Sequence, residues 1–284
     1  YIIYKMPKQN MKGGADLASG GQALMKIMTL VGRVAFILFI VILFVMLLGL
    51  GVSIITRMFS PNGSPHLIDG MKDASEMMIV DQNPGAKGAI PVLRSNNERE
   101  GIEFTWSVWI FVKGLQPEGQ LKHIFHKGNN NVNFNNEDIP VGMNYPNNGP
   151  GLYIDANTNA LVIIMNTFDN IIEEIKINDL PMKKWVNVMI RGEGKNIDVY
   201  INGNIAKRHV LNGVPKQNYG DVYVNTNNGF TGNLSDLWYF NKALGLSKIQ
   251  SIVEKGPNLK MAGKSAVSQN HPPYLSLRWY LMGT

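Results

Sequence analysis

The sequence predicts a mainly β protein, an antiparallel two-sheet sandwich preceded by a single transmembrane α-helix. Three observations predict it. Between Arg33 and Arg57 runs VAFILFIVILFVMLLGLGVSIIT, 23 residues without a charge. From residue 101 onward apolar residues recur at period two, in short runs separated by turn formers. The alternation of strand and helix that marks a parallel sheet is missing.

Residues 1–29 carry Lys5, Lys8, Lys12 and Lys26 and show no apolar period. They read as a flexible basic tail. The membrane helix is expected over residues 30–57, with Arg33 and Arg57 as the membrane-flanking residues. A helix of 23 residues rises roughly 35 Å, enough to cross a hydrocarbon core of ~30 Å with some tilt. An ordinary soluble core helix is not apolar all round for that length, and a signal peptide has a shorter apolar run nearer its start. Positive charge before the helix (Lys5, Lys8, Lys12, Lys26 and Arg33 against Asp16) faces acidic charge after it (Asp69, Asp73, Glu76 and Asp81 against Arg57 and Lys72). The positive-inside rule places the N-terminal side in the cytoplasm. The lipid bilayer is therefore the first expected partner, with the N-terminal lysines against anionic headgroups. The chain has no cysteine, which favours a reducing compartment and sits against that orientation.

Residues 58–100 read as a linker with the first strands. SPNGSPHLIDG, residues 60–70, is punctuated by Pro, Gly and Asn; short strands are expected at Met77–Val80 and Ile90–Leu93. The sandwich is expected over residues 101–256. In GIEFTWSVWIFVKG, Ile102, Phe104, Trp106, Val108, Ile110 and Val112 form one apolar face. The opposite face begins with Glu103, Thr105 and Ser107 and turns apolar at Trp109 and Phe111. LKHIFHKG is the next strand. The Asn-rich stretch 129–151 follows, and its turn formers argue against a core strand.

LYIDANTNALVIIMNT reads as a hairpin turning at Asn157–Asn159, and IIEEIKI as a further strand. KKWVNVMIRGEGKNIDVYINGNIAKRHV gives three strands, the last two joined by Asn202-Gly203, the pair a type I′ turn favours. DVYV and GFTGNLSDLWYF complete the set. In the latter, Phe230, Leu234, Trp238 and Phe240 alternate with Thr231, Asn233, Ser235 and Tyr239. Ser247 is positioned to cap a short helix with Ile249, Ile252 and Val253 on one face, stopped by Gly256-Pro257. Residues 257–284 form a tail whose alternating Leu275, Leu277, Trp279 and Leu281 predict a returning strand that covers an edge.

The order of EFTWSVWIFVKG, HIFHKG, GLYIDANTNALVIIMNT, KKWVNVMIRGEGKNIDVYINGNIAKRHV and GFTGNLSDLWYFNKALGLSKIQSIVEKG resembles the laminin-G-like jelly roll of the concanavalin A-like lectin/glucanase superfamily, over roughly residues 100–256. The resemblance implies a jelly-roll sandwich. The wider layout, a membrane helix leading into IPVLRSNNEREGIEFTWSVWIFV, resembles virion membrane and minor capsid proteins of large double-stranded DNA viruses, the algal viruses in particular. That resemblance implies a structural part at the interface of an internal membrane and a capsid, with neighbouring capsid or membrane proteins as partners.

The chemistry-bearing residues point away from catalysis. A glycosidase needs two carboxylates about 5–10 Å apart on one surface. EREGIE offers Glu98, Glu100 and Glu103, but its middle position departs from the superfamily's E-x-D-x-x-E and it sits at a strand entrance. Asp155, Asn157 and Asn159 open like a calcium loop, yet Ala160 stands where glycine is required, so a hairpin turn is the better reading. His123 and His126, three apart on a strand, fall on opposite faces and cannot share an ion without a bulge. Trp109, Tyr153, Tyr200, Tyr219, Tyr223 and Tyr239 could stack on a sugar, though packing is the commoner role of such rings. The net charge of +6 is spread without a dense Lys/Arg run, which excludes a nucleic-acid stripe. No catalytic residue, metal ligand or cofactor is assigned. The sequence therefore reads as a non-enzymatic, membrane-anchored structural or interaction protein, with a membrane-tethered carbohydrate-binding module as the alternative.

Overall fold

The computed structural model describes residues 14–59, 62–99, 101–116 and 119–262. The chain divides into two units, Tyr1–Pro61 and Asn62–Thr284.

In the first unit, α1 spans Gly14–Phe59. It begins well before the expected boundary at residue 30. Ala15, Leu17, Ala18, Gln22, Ala23, Leu24 and Met25 are good helix formers, and extending an existing helix needs no new nucleus. Part of the stretch expected as a flexible tail is therefore helical. Within α1, Thr29–Thr56 has a mean hydropathy of 3.1 and none of it is buried. This helix is apolar enough to span a membrane. Thr56 turns its hydroxyl back onto the Val52 carbonyl at 2.8 Å, which satisfies a polar group inside the helix, as lipid demands.

The second unit is a sandwich, and its strands begin earlier than residue 101. They are β1 (His66–Asp73), β2 (Met78–Val80), β3 (Asn96–Glu98), β4 (Gly101–Val112), β5 (Leu121–Gly128), β6 (Asn131–Val132), β7 (Asn144–Tyr145), β8 (Asn148–Asp155), β9 (Ala160–Met165), β10 (Glu173–Ile177), β11 (Trp185–Glu193), β12 (Asn196–Ile201), β13 (Asn204–Val210), β14 (Asp221–Val224) and β15 (Gly232–Phe240), followed by α2 (Leu246–Lys255). One sheet has the order β1-β15-β4-β11-β12-β13, with β3 also on β4; the other has β10-β9-β8-β5-β14-β2; β6 and β7 form a separate pair. Among the described residues the named strands all pair antiparallel.

The core lies between the two large sheets. The Phe104–Val112 face of β4 meets Phe125, Leu152, Leu161 and Ile163 from the opposite sheet. Each such side chain contributes about 1.5–3 kcal/mol by leaving water. The outer faces are covered too. Behind β4, Met189, Phe240 and Leu244 pack with Ile249 of α2; behind the second sheet, Ile139 and Met143 of the Asn-rich segment pack on Tyr153, Val162 and Ile164. Trp109 is buried, and Phe111 tilts against Trp185 at 5.6 Å.

Several local expectations give way. HLIDGMKD is a strand rather than a linker: two register shifts along β1 put Leu67 and Ile68 both in the core and erase its period. Residues 90–93 do not form a strand, because the Gln82 side chain takes their backbone groups, donating to the Ile90 carbonyl and accepting from Val92 N. β8 begins at Asn148, inside the stretch expected to exclude a core strand. Its buried amide is satisfied internally, donating to the Asn144 carbonyl and accepting from the Tyr153 hydroxyl at 2.7 Å. In β15 a register shift at Ser235/Trp238, with Asp236 at φ 48°, reverses the expected alternation. Leu237 and Tyr239 join the core, and Trp238 turns outward to stack on His66. α2 is capped by Gly245 without a side-chain bond, not by Ser247; Gly256 ends it at φ 70°.

The Asn157–Asn159 hairpin and the Asn202-Gly203 turn form as expected, the latter with positive φ at both residues. The expected strand near Leu275 lies outside the described residues. Just before it, Lys260 and Ala262 bond Met71 of β1, at 2.7 and 2.8 Å.

Candidate binding recesses

Two recesses open at opposite ends of β4. The first, about 150 Å³, lies between the sheets where β4 begins. Ile102, Phe104 and Trp106 from one sheet and Met165 from the other form its apolar floor, and Arg94, Lys127 and Lys216 are among its lining residues, the Lys216 ammonium lying over the Phe168 ring at 5.2 Å from its centre. The cations arrive from three elements. Lys127 follows His126 on β5 and points inward by strand alternation. Arg94 sits on the connection after β2, and Lys216 on the loop before β14.

Both loops are fixed. Gln82 N donates to Asp221 Oδ1 at 2.9 Å, while its side chain holds residues 90 and 92. Asn218 Nδ2 donates to the Lys127 carbonyl at 3.0 Å, and Lys216 N to the Asn166 carbonyl at 2.8 Å. Lys127 is 7% exposed, and its ammonium donates to the Gly220 carbonyl at 2.5 Å. Burial pulls its pKa down to about 8, against the opposing pull of Asp221. Burial also pushes the Tyr239 hydroxyl up to about 12, so it remains neutral, 3.4 Å from the Ser95 hydroxyl.

The second recess, about 370 Å³, lies where β4 ends. Lys113, Lys122 and Asp73 line it, with Asn227, Asn228 and Gly229 on the loop before β15. Those three loop residues all have positive φ. Asn and Gly tolerate that conformation best, which is why the loop uses them. A Cβ at Gly229 would stand 2.0 Å from the Ala74 carbonyl. Hydrogen bonds from the Ser75 side chain and backbone hold the Asp73 carboxyl below its usual range.

The residues expected to carry chemistry are placed elsewhere. Glu98 and Glu103 line neither recess; Glu103 accepts from Ala243 N at 3.2 Å, and Glu100 lies outside the described residues. The Asp155 carboxylate is committed to the hairpin turn, accepting from Asn157 N, the Thr158 hydroxyl and Lys176 Nζ. His123 and His126 do share a face, contrary to the strand argument. A register shift between His123 and Phe125 inserts the extra residue, and His123 Nε2 meets His126 Nδ1 at 2.7 Å.

Thr226 N donates to His123 Nδ1, so His123 carries its proton on Nε2 and gives it to His126; His126 Nε2 then donates to the Asn129 carbonyl. Both rings are neutral: burial lowers His126 to about 4 and holds His123 well below the ordinary histidine value. Of the candidate stacking rings, Trp109, Tyr153 and Tyr239 are buried, whereas Tyr219 is 90% exposed at the rim of the first recess. Arg33 lies on α1 within the apolar stretch and Arg57 just beyond it.

One cluster was invisible in the sequence. His66 Nε2 meets Asp236 Oδ1 at 3.0 Å and its Nδ1 lies 3.9 Å from Asp69 Oδ1. The three could ligate an ion by donor type, but both carboxylates also take bonds from Asn258. Burial pushes the Asp236 carboxyl up; hydrogen bonds from His66 and Asn258 N outweigh it and hold the group below its ordinary value. The cluster is a clasp between β1, β15 and the C-terminal segment. Its members are too far apart in sequence for any spacing rule to join them.

Residues 85–250 match a laminin G-type family described as the concanavalin A-like lectin/glucanases superfamily. The chain belongs to this superfamily. No curated protein matches the sequence significantly. Solved structures with a similar fold include the binding domain of botulinum neurotoxin serotype G, at 14% identity over 65% of this chain and 46% of that one, TM-score 0.44. The serotype D ligand binding domain, in complex with N-acetylneuraminic acid, is 16% identical over 65% and 41%, TM-score 0.45. Trypanosoma rangeli sialidase is 13% identical over 53% and 22%, TM-score 0.37. The chain spans less than half the length of each, and these likenesses concern the fold alone. The match begins upstream of the stretch expected from the sequence, at residue 85, and ends at residue 250.

Proposed function

We propose that this chain is a non-catalytic binding module held at a bilayer by α1 as a single-pass anchor. The observation that carries the reading is the apolar stretch Thr29–Thr56, none of it buried, joined to a sandwich with a core of its own. So long an exposed apolar surface needs lipid around it. A non-catalytic role is supported by Glu103 and Asp155, whose oxygens serve backbone and turn bonds rather than a recess. The finer form of the reading is a minor capsid protein that ties a virion's internal membrane to neighbouring shell proteins; the resemblance of the layout supports that form. A carbohydrate-binding module is the second reading, favoured by the amide- and lysine-lined recesses at both ends of β4.

Reconstitution tests the anchor. The full chain is expected to stay with liposomes through alkaline carbonate extraction, and deletion of residues 29–56 to release it. Release of the intact chain by carbonate would sink the anchor. Sugar released from a polysaccharide panel and abolished by Glu103→Gln would sink the non-catalytic reading. Cross-linking within the native assembly identifies the neighbours.

A further inference from the structure

The chain enters the sandwich at the end where β4 begins. The Gly63 carbonyl accepts from Asn241 N at 3.0 Å, and the Pro65 carbonyl from Tyr239 N at 3.2 Å. Tyr239 lines the first recess. β1 then runs away from that end, to Asp73 at the second recess. Five residues, 57–61, separate Thr56, the last of the apolar stretch, from Asn62. Fully extended, such a link reaches about 20 Å. In a chain anchored by that stretch, the first-recess end is therefore held within reach of lipid. The same end exposes apolar groups. Tyr219 is 90% exposed, Phe168 69% and Val214 51%. Phe168 N donates to the Val214 carbonyl at 3.0 Å and Lys216 N to the Asn166 carbonyl at 2.8 Å, which joins the loop before β10 to the loop before β14. At the second recess, by contrast, the apolar lining residues Leu115, Ile154 and Phe230 are buried or half-buried. The joined loops carry Asp169 and Lys216, and the exposed Arg94 lines the same recess as Lys216 and Tyr219. One positive charge is left among these groups.

We propose that these loops rest on the surface of a phospholipid bilayer, with Phe168, Val214 and Tyr219 at the boundary of headgroups and acyl chains and with Lys216 and Arg94 against the phosphates. An exposed apolar cluster rimmed by polar groups marks an interaction surface. A tyrosine suits the membrane interface, because its ring is apolar and its hydroxyl stays wet. Lysine and arginine lay their stems on apolar surface while the charge reaches the headgroups. Two rings and a valine bind lipid weakly by themselves. The short link changes that, because tethering supplies an effective concentration on the order of millimolar. The loops are already joined by backbone bonds, so little ordering is lost on docking. The inference rests on the anchor reading and goes beyond it by giving the sandwich a lipid contact of its own.

The chain has no cysteine, so single introduced thiols can be labelled cleanly. Val214→Cys reports on the joined loops. Asn157→Cys, exposed on the turn after β8, reports on the opposite end, where Ile154 lines the second recess. Each full chain carries an environment-sensitive fluorophore in nanodiscs of phosphatidylcholine and phosphatidylserine, with and without spin-labelled lipid. The Val214 label is expected to emit at shorter wavelength and to be quenched severalfold more strongly than the Asn157 label. Adding Phe168→Ser and Tyr219→Ser, both at exposed positions, should keep the fold by circular dichroism and return the Val214 label to water. Lys216→Gln with Arg94→Gln should reduce quenching in phosphatidylserine discs and leave it unchanged in pure phosphatidylcholine. Co-elution with the disc reports the anchor separately. A chain that does not co-elute loses the anchor and this proposal together. A chain that co-elutes with both labels in water, with both quenched alike, or with the Val214 label still quenched in the serine variant overturns the proposal while the anchor stands. A shift of the Val214 label without quenching by spin-labelled lipid assigns the patch to a second protein copy and overturns it equally.

Discussion

The two ends of β4 carry recesses of opposite construction. At its start, the walls are the sheets themselves, with core side chains as floor and cations delivered from three separate elements. At its end, the walls are loops, the charge is mixed through Asp73, and the shape depends on Asn227, Asn228 and Gly229 holding left-handed backbone. The first is shaped by packing and the second by turn chemistry. A strand built mainly to bury an apolar face thus presents one rigid, single-signed opening and one polar, loop-defined one.

Substitutions at each end should separate the two constructions. The largest effect is expected at Trp106, a fully buried ring stacked on Phe125 and tilted against Tyr239. Trp106→Ala should cost about 3–5 kcal/mol in chemical denaturation followed by circular dichroism, and should destroy the first recess with the core. A cost near that of an exposed site would show that the floor is not part of the core. Gly229→Val comes next, at about 2–3 kcal/mol, because φ 47° and the Ala74 carbonyl both oppose a branched side chain. Its damage should stay at the far end, leaving the near-ultraviolet circular dichroism of the Trp106 cluster unchanged.

The third effect is set by pH. The folded-state pKa of His126 is about 4, against 6.5 unfolded. The folded form therefore binds fewer protons through this window, and stability is full above 6.5 and falls as pH drops towards 4. Between pH 7 and pH 5 the loss from this group is roughly 2 kcal/mol. Denaturation of the wild type and of His126→Gln at the two pH values measures it: the variant should show a smaller dependence, with the part due to the equally buried His123 remaining. An unchanged midpoint across that range in the wild-type chain would contradict a neutral, buried pair.

Legibility followed the same division. The period-two face of β4, the three-strand run with its Asn202-Gly203 turn and the apolar helix could be read from residues because each is a local pattern. What escaped were insertions of a single residue. The shifts at His123/Phe125, Ser235/Trp238 and within β1 leave composition unchanged but move every later side chain to the other face. They brought two histidines together and sent Tyr239 into the core. The buried amides of Asn144, Asn148 and Asn166 escaped for another reason. An asparagine in a turn-rich stretch looks solvated, and only its partners, set by tertiary pairing, show otherwise. Lys127 and Lys216 share a recess through sheet topology alone.

The clasp at β1 has a mechanical consequence. This strand is the first of the sandwich reached along the chain from the helix, so tension transmitted from that side arrives there. It is bonded to β15 on one flank, and Lys260 and Ala262 grip Met71 on the other, with Asn258 tying Asp69 to Asp236. A pull must therefore break bonds on two sides at once before the first strand can peel away, and the C-terminal segment acts as the buckle that keeps a tethered sandwich from unravelling at its point of attachment.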